Sequence, residues 1–185
     1  MLSGSFRNRT YISQGLIIAA LLLLNACTGV PEGMQPVTGF ELNRYLGKWY
    51  EIARLDHSFE RGLEQVSAEY TMSDDGGVIV LNRGYSVEEQ KWQQAEGKAY
   101  FVRSPDEGYL KVSFFGPFYG AYVIFELDEA YQYAFVVGPD RSYLWLLSRT
   151  PEVSPGLIRD FKAQVKALGF NSEALILVDQ RADKH

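Results

Sequence analysis

The sequence predicts an all-β protein: an eight-stranded antiparallel up-and-down barrel with one C-terminal α-helix packed outside and a short ninth strand. Three observations predict it. From Gly47 onward, short runs of alternating apolar and polar residues are separated by turn residues. No helical period interrupts them until after Arg149. The links are short, which makes sequential strands antiparallel neighbours. Eight such strands can close on themselves and remove both sheet edges. An open sandwich satisfies the same pattern and remains the rival.

The runs follow in order. Gly47–Asp56 opens with a glycine and two rings. Glu64–Ser73 follows, with Val66, Ala68, Tyr70 and Met72 on one face. Asp74-Asp75-Gly76-Gly77 is a hairpin turn. Val78–Tyr85 and the long run Gln90–Val102, crossed by Gly97, come next. Ser104-Pro105-Asp106-Glu107-Gly108 turns the chain again. Tyr109–Phe115, Ala121–Leu127, Tyr131–Val137 and Ser142–Arg149 complete the set. Ser154 then fits a helix N-cap and Pro155 the first helical position. Leu157, Ile158, Phe161, Val165 and Leu168 make an apolar helical stripe that Gly169 stops. Ala174–Val178 reads as the ninth strand, and residues 179–185 as a loose polar tail.

The chain has 185 residues, enough for one barrel core. Its net charge of −5 argues against nucleic acid as a partner, because such affinity rests on Lys and Arg. One cysteine excludes an intrachain disulfide, and two histidines leave no His/Cys metal site. No motif calls for a cofactor.

Residues 1–26 read as a signal peptide. Arg7 and Arg9 give a positive start, and Leu16–Leu24 is an apolar run too short to span a bilayer. Leu24-Asn25-Ala26-Cys27 resembles a bacterial lipobox. The resemblance implies that Cys27 becomes the first mature residue and carries an S-diacylglycerol and an N-palmitoyl chain. One acyl chain binds a membrane only marginally, and three anchor it stably. Thr28 follows, not the aspartate associated with inner-membrane retention. The implied address is therefore the periplasmic face of the outer membrane. Residues 27–39 then form the lipidated start and its tether, and residues 40–178 the barrel with its helix.

Gly47-x-Trp49 on the first run, Asp128 before the seventh and Arg149 ending the eighth resemble the three blocks of the lipocalin family. The runs Arg44–Arg54, Val112–Gly120 and Gly138–Trp145 are most similar to bacterial outer-membrane lipocalins. One departure stands in the middle block, which reads Leu127-Asp128-Glu129 where the family has Thr-Asp-Tyr. By resemblance the first strand starts at the closed end. Parity then puts the links 74–77, 104–108 and 128–130 there, with Arg149 beside Trp49. The links 57–63, 86–89, 116–120 and 138–141 ring the mouth.

Alternation along the strands supplies the expected lining. It brings Trp49, Glu51, Ala53, Trp92, Gln94, Glu96, Glu126 and Arg149 inward, with apolar residues between them. The candidate ligand contacts are Tyr70, Asn82, Gln94, Val112, Phe114, Tyr122, Ile124 and Trp145. Gly47, Trp49, Asp128 and Arg149 are the structural signature. Such a lining suits an amphiphile, although the same residues could simply fill the core. The resemblance implies a fatty acid or lysophospholipid ligand, held for lipid storage or transport in envelope maintenance or stress. It also admits a homodimer, for which the aromatic mouth offers a patch. Catalysis is disfavoured: no Gly-x-Ser-x-Gly elbow is present, and His57 is the only histidine away from the terminus. Inward carboxylates among Glu51, Glu96 and Glu126 keep a lipocalin-fold enzyme acting on a lipid or isoprenoid as the alternative. A purely structural envelope protein with a filled barrel is the third reading.

Overall fold

The structure is a computed structural model and describes residues 29–181. Cys27 and the signal segment lie outside the described residues. A short helix, α1 (Leu42–Tyr45), leads into eight strands: β1 (Gly47–Arg54), β2 (Leu63–Met72), β3 (Val78–Ser86), β4 (Lys91–Phe101), β5 (Tyr109–Phe115), β6 (Phe118–Leu127), β7 (Tyr133–Val137) and β8 (Leu144–Ser148). Helix α2 (Pro155–Ala167), a 3₁₀ turn (Ser172–Ala174) and β9 (Ile176–Leu177) follow. Each strand pairs antiparallel with the next, and β1 pairs with both β8 and β2. The sheet is therefore a closed barrel, and the open sandwich is excluded.

Closure at the floor rests on one ring. Trp49 has no solvent exposure, and its indole N–H donates to the Tyr45 carbonyl at 2.7 Å. The Arg149 guanidinium lies 3.9 Å from the Trp49 ring centroid. It also donates to the carbonyls of Lys48 (2.9 Å), Arg44 (2.7 Å) and Tyr131 (3.3 Å). Cation–π attraction adds about 0.5–2 kcal/mol to those bonds. Gly47 supplies the backbone turn at the start of β1: its φ is +90°, a conformation that residues with a Cβ rarely adopt. Phe40 and Tyr45, both buried, complete the floor.

Asp128 builds the β6–β7 turn. Its carboxylate accepts N–H bonds from Tyr133 (2.8 Å), Ala130 (3.2 Å) and Gln132. These bonds use only Asp128, so the unusual neighbours Leu127 and Glu129 leave the turn intact.

Helix α2 packs outside, as its stripe requires. Ser154 Oγ caps it by accepting the Leu157 N–H at 3.2 Å. Phe161 and Val165 are fully buried in an outer core with Ile52, Phe135, Leu144 and Leu146. The chain's second apolar layer thus lies between sheet and helix, and the first lies inside the barrel.

Four local departures from the expected pattern bear on the cavity. A bulge in β1 between Glu51 and Ala53 turns Ala53 outward, opposite Leu146, and brings Arg54 inward opposite Trp145. A bulge in β6 between Ile124 and Glu126 turns Glu126 outward, where it accepts a bond from Gln164 of α2 at 3.3 Å. The phase of β4 is opposite to the expected one. Val78, Val80 and Asn82 pair with Ala99, Gly97 and Ala95 on the inner face, so Trp92, Gln94 and Glu96 face out. The inner face of β4 is small because it must be: a Cβ on Gly97 would come within 2.7 Å of the Ser113 carbonyl and 2.8 Å of the Phe114 ring. Trp92 packs outside under the Arg83 guanidinium at 4.2 Å and against Tyr85, while Phe101 at the other end of β4 packs with the inner core. Finally, the ninth strand is only Ile176–Leu177, and the start of the tail is pinned. Gln180 Nε2 donates to Glu51 O at 2.7 Å and Val66 O at 2.9 Å, and Gln65 N–H to Asp179 O at 2.7 Å. The Gln180 amide bridges β1 and β2 where their direct pairing, Gly47–Tyr50 on Tyr70–Ser67, has ended.

Trp49→Ala should lower unfolding stability by about 3–5 kcal/mol, the cost of emptying a buried aromatic site. Equilibrium denaturation measures this; a loss below about 1 kcal/mol would mean the floor closes without the ring.

Candidate functional site

The barrel interior is hollow above the floor. An inner chamber of about 100 Å³ is lined by Tyr70, Val78, Val80, Leu110, Tyr122 and Leu147 among others. A wider mouth of about 510 Å³ is bordered by Phe59, Phe115, Phe118, Pro139 and Tyr143. Asn82, Val112, Phe114 and Trp145 line both, so the two spaces form one calyx. Small residues on β2 and β4, Ala68 and Ala99, help to keep it open.

The expected contacts divide accordingly. Tyr70 and Tyr122 lie at the bottom; Asn82, Val112, Phe114 and Trp145 line the middle. Ile124 is fully buried and packs in the floor, and it does not line the chamber. Gln94 is exposed on the outer face opposite Arg83 and touches only the rim of the mouth. Alternation with Trp92 inward would place Gln94 in the calyx, and the small inner residues Ala95, Gly97 and Ala99 reverse that phase.

Two polar systems interrupt the apolar wall. At the bottom, the Tyr122 hydroxyl bonds those of Tyr45 (2.7 Å) and Tyr70 (2.8 Å). Burial raises all three above the usual phenol range, and the Tyr45 and Tyr70 hydroxyls push Tyr122 further. They are neutral donors and acceptors across the physiological range.

The second system lies on the β1 side. Arg54 Nη1 meets Glu51 Oε1 at 2.7 Å, and Arg54 Nη2 donates to the carbonyls of Glu60 (2.8 Å) and Leu63 (3.2 Å). The Glu60 carboxylate accepts the Trp145 indole N–H at 3.1 Å and stands 3.0 Å from His57 Nε2. All of Glu51, Arg54, His57 and Glu60 are buried. Burial raises the Glu51 carboxyl, the charge of Glu60 raises it further, and Arg54 offsets this only in part. Burial also pushes Glu60 upward, but hydrogen bonds from His57, then Trp145 and Glu51, carry it below its ordinary value. Glu51 therefore holds a proton and Glu60 the charge, which Arg54 balances. A buried charge pair is costly unless so balanced. The set fixes the β1–β2 link against β8.

Sequence reasoning missed Arg54 and Glu60. Strict alternation from Trp49 sends Arg54 outward, and only the bulge reverses it. Glu60 lies in a link, where no periodicity applies. His57 and Phe59 were placed at the entrance, and both are there: His57 stacks on Phe59 at 4.1 Å and on Tyr143 at 5.7 Å. Asn82 lines both parts of the calyx, and its Oδ1 is enclosed without a hydrogen-bond partner. A turn of this side chain toward the cavity would offer the acceptor to a ligand hydroxyl or a water.

The lipocalin-like domain family matches residues 40–180. This chain belongs to the lipocalin family. It is 62% identical over 166 residues to the outer membrane lipoprotein Blc of Vibrio cholerae, covering 89% of this chain and 97% of that one. It is 51% identical over 163 residues to the protein of that name from Escherichia coli K12, covering 87% and 92%. Temperature-induced lipocalin-1 of Arabidopsis thaliana is 38% identical over 130 residues, 65% of this chain and 68% of its own. Among solved structures, insecticyanin from the tobacco hornworm aligns with a TM-score of 0.64 at 22% identity, over 84% of this chain and 88% of its own. The cockroach allergen Per a 4 gives 0.63 at 19%, over 85% and 96%. At these identities the two structures support the fold alone. In this lipocalin the calyx joins a ligand-sized apolar space to a few convergent polar groups.

A raised carboxyl stabilises the fold at low pH, and this contribution fades as pH rises from the unfolded value through the folded one. Glu51→Gln keeps an acceptor for Arg54 and a donor for Glu60 but cannot ionise. Its stability relative to the parent should therefore improve between pH 5 and pH 8, as thermal unfolding at the two values would show. A gap that does not change with pH would mean Glu51 is ionised in the fold.

Proposed function

We propose that this lipocalin is a carrier anchored to the outer membrane that holds a fatty acid or lysophospholipid in its calyx, for lipid storage or transport during envelope maintenance or stress. The open, largely apolar calyx carries the reading. Acyl surface buried there gains about 25 cal/mol per Å². Tyr70, Asn82, Val112, Phe114, Tyr122 and Trp145 are the contacts we assign, with Asn82 Oδ1 as acceptor for a head-group hydroxyl. The relatives named outer membrane lipoprotein support the address. The lipobox supports a lipid anchor on Cys27, and Thr28 supports a periplasmic orientation. Binding is favoured over turnover because the one buried carboxyl pair, Glu51 and Glu60, is engaged by Arg54, His57 and Trp145.

Native mass spectrometry after mild extraction should show a bound fatty acid or lysophospholipid. An empty barrel, with no displacement of a fluorescent fatty-acid probe by lysolipid, would sink the proposal. Phe114→Ala should weaken probe binding about tenfold, which is about 1.4 kcal/mol, with a smaller change in melting temperature because the ring is only half buried. If only the melting temperature moves, Phe114 is packing and not a contact.

Cys27→Ala should leave the chain unprocessed or release it from the membrane fraction. Unchanged membrane retention would count against lipidation at Cys27.

A further inference from the structure

The base of the calyx is polar where an acyl chain would be expected to end. Tyr45 of α1, Tyr70 of β2 and Tyr122 of β6 converge there, and all three border the inner chamber. The wall around them is aliphatic: Val78, Val80, Ala99, Leu110 and Leu147. Tyr45 and Tyr70 are 2% and 7% exposed. Tyr122 is the hub, with its hydroxyl 2.7 Å from that of Tyr45 and 2.8 Å from that of Tyr70. The rings are held by one another and by the floor. Centroids lie 5.4 Å apart for Tyr45 and Tyr70, 6.1 Å for Tyr70 and Tyr122, and 4.6 Å for Tyr45 and Trp49. Packing of this kind keeps the hydroxyls at the chamber and stops them from turning out to water.

The hydroxyls of the triad have one proton too many. Each phenol carries one O–H donor. Burial holds each of the three above its usual range, so all keep their protons. The two hydrogen bonds through Tyr122 use two of those donors, and no other group among the described residues accepts the third. Whichever ring carries it, one donor is left at the base of an apolar chamber. A buried donor without an acceptor is costly, and the chamber of about 100 Å³ gives an acceptor room to enter. Phenylalanine at the three positions would fill the same space and leave no donor to satisfy.

We infer that the Tyr45–Tyr122–Tyr70 triad is a polar subsite at the base of the calyx, and that it takes a neutral oxygen at the far end of the guest: an acyl chain hydroxylated at its ω end. The inference rests on the carrier reading above and adds that the guest is polar at both ends. A hydroxyl complements the triad in both senses. It accepts the spare proton, and its own proton returns to a phenol oxygen. A carboxylate does not fit, because it would be dehydrated with only neutral phenols for partners, while the Arg149 guanidinium is held by the Trp49 ring and three carbonyls. The acid end of the guest therefore stays toward the mouth. A plain methyl end can reach the same place, but it leaves the donor unpaired or displaces a water that would pair it.

The test uses the full chain in phosphatidylcholine vesicles and displacement of a fluorescent fatty-acid probe. The competitors are the saturated acids from decanoic to hexadecanoic and their ω-hydroxy counterparts. At each chain length the quantity read is the affinity of the hydroxy acid relative to the plain acid. Partition into the vesicles is the same for every protein, so it cancels when this ratio is compared between proteins. In the unaltered chain the ratio should peak at the length that brings the hydroxyl to the triad. At that length Tyr45→Phe/Tyr70→Phe/Tyr122→Phe should lower the ratio about tenfold. A merely structural triad would change the affinity for both acids alike and leave the ratio where it was. The length dependence needs no variant, so it decides the matter even if the triple variant does not fold. A ratio that is flat with chain length, or one that the triple variant keeps, overturns the subsite and leaves the carrier reading standing. Displacement of the probe by neither series overturns the carrier reading and the subsite with it.

Discussion

The Arg149 guanidinium over the Trp49 ring holds the floor, and the calyx depends on the floor. A barrel with an open interior lacks a central core to hold it shut, so its cohesion must come from its ends and its outside. Arg149 bonds the backbones before and after the start of β1, at Arg44 and Lys48, and the β6–β7 link at Tyr131. The cation thus ties the first strand and the last strand to the plug formed by Phe40 and α1. The outer core under α2 supplies the remaining apolar burial. With stability placed at the floor and outside, the interior can stay hollow.

The upper wall obeys the same economy of charge. Glu60 and Arg54 carry opposite charges there, with Glu51 protonated beside them. Each buried charge is held by hydrogen bonds within the set, so none is left unpaired toward an acyl chain in the cavity. The cluster also joins the β1–β2 link to Trp145 of β8. The rigid wall of the site and the border of its entrance are therefore the same residues.

Bulges decide where chemistry points. The β1 bulge trades Ala53 for Arg54 on the inside, and the β6 bulge sends Glu126 to the helix. Each serves two layers at once. Ala53 lets Leu146 approach under α2, and Glu126 gains Gln164. The β6 bulge and the phase of β4 leave Glu51 as the one inward carboxyl of the three that the sequence offered.

The sequence by itself determined the class of fold, the strand order and the pairing of Trp49 with Arg149, because short links force antiparallel neighbours and parity fixes which ends meet. It also determined the outer helix, whose stripe and Ser154–Pro155 start depend on local chemistry. Most of the calyx lining was legible for the same reason: Tyr70, Asn82, Val112, Phe114, Tyr122 and Trp145 keep the inward face that alternation assigns them, although β5 and β6 carry bulges nearby. Only the tertiary structure decided the rest. The inner face of β4 is set by how closely Phe114 and the Ser113 carbonyl approach Gly97, and the apolar Trp92 misleads there. Ile124 follows the alternation inward, yet depth along the axis, which alternation does not encode, puts it in the floor. Arg54, Glu60 and Gln180 acquire their roles from a bulge, a link and a tail, where the chain has no period to read and where neighbours distant in sequence determine which way a side chain faces.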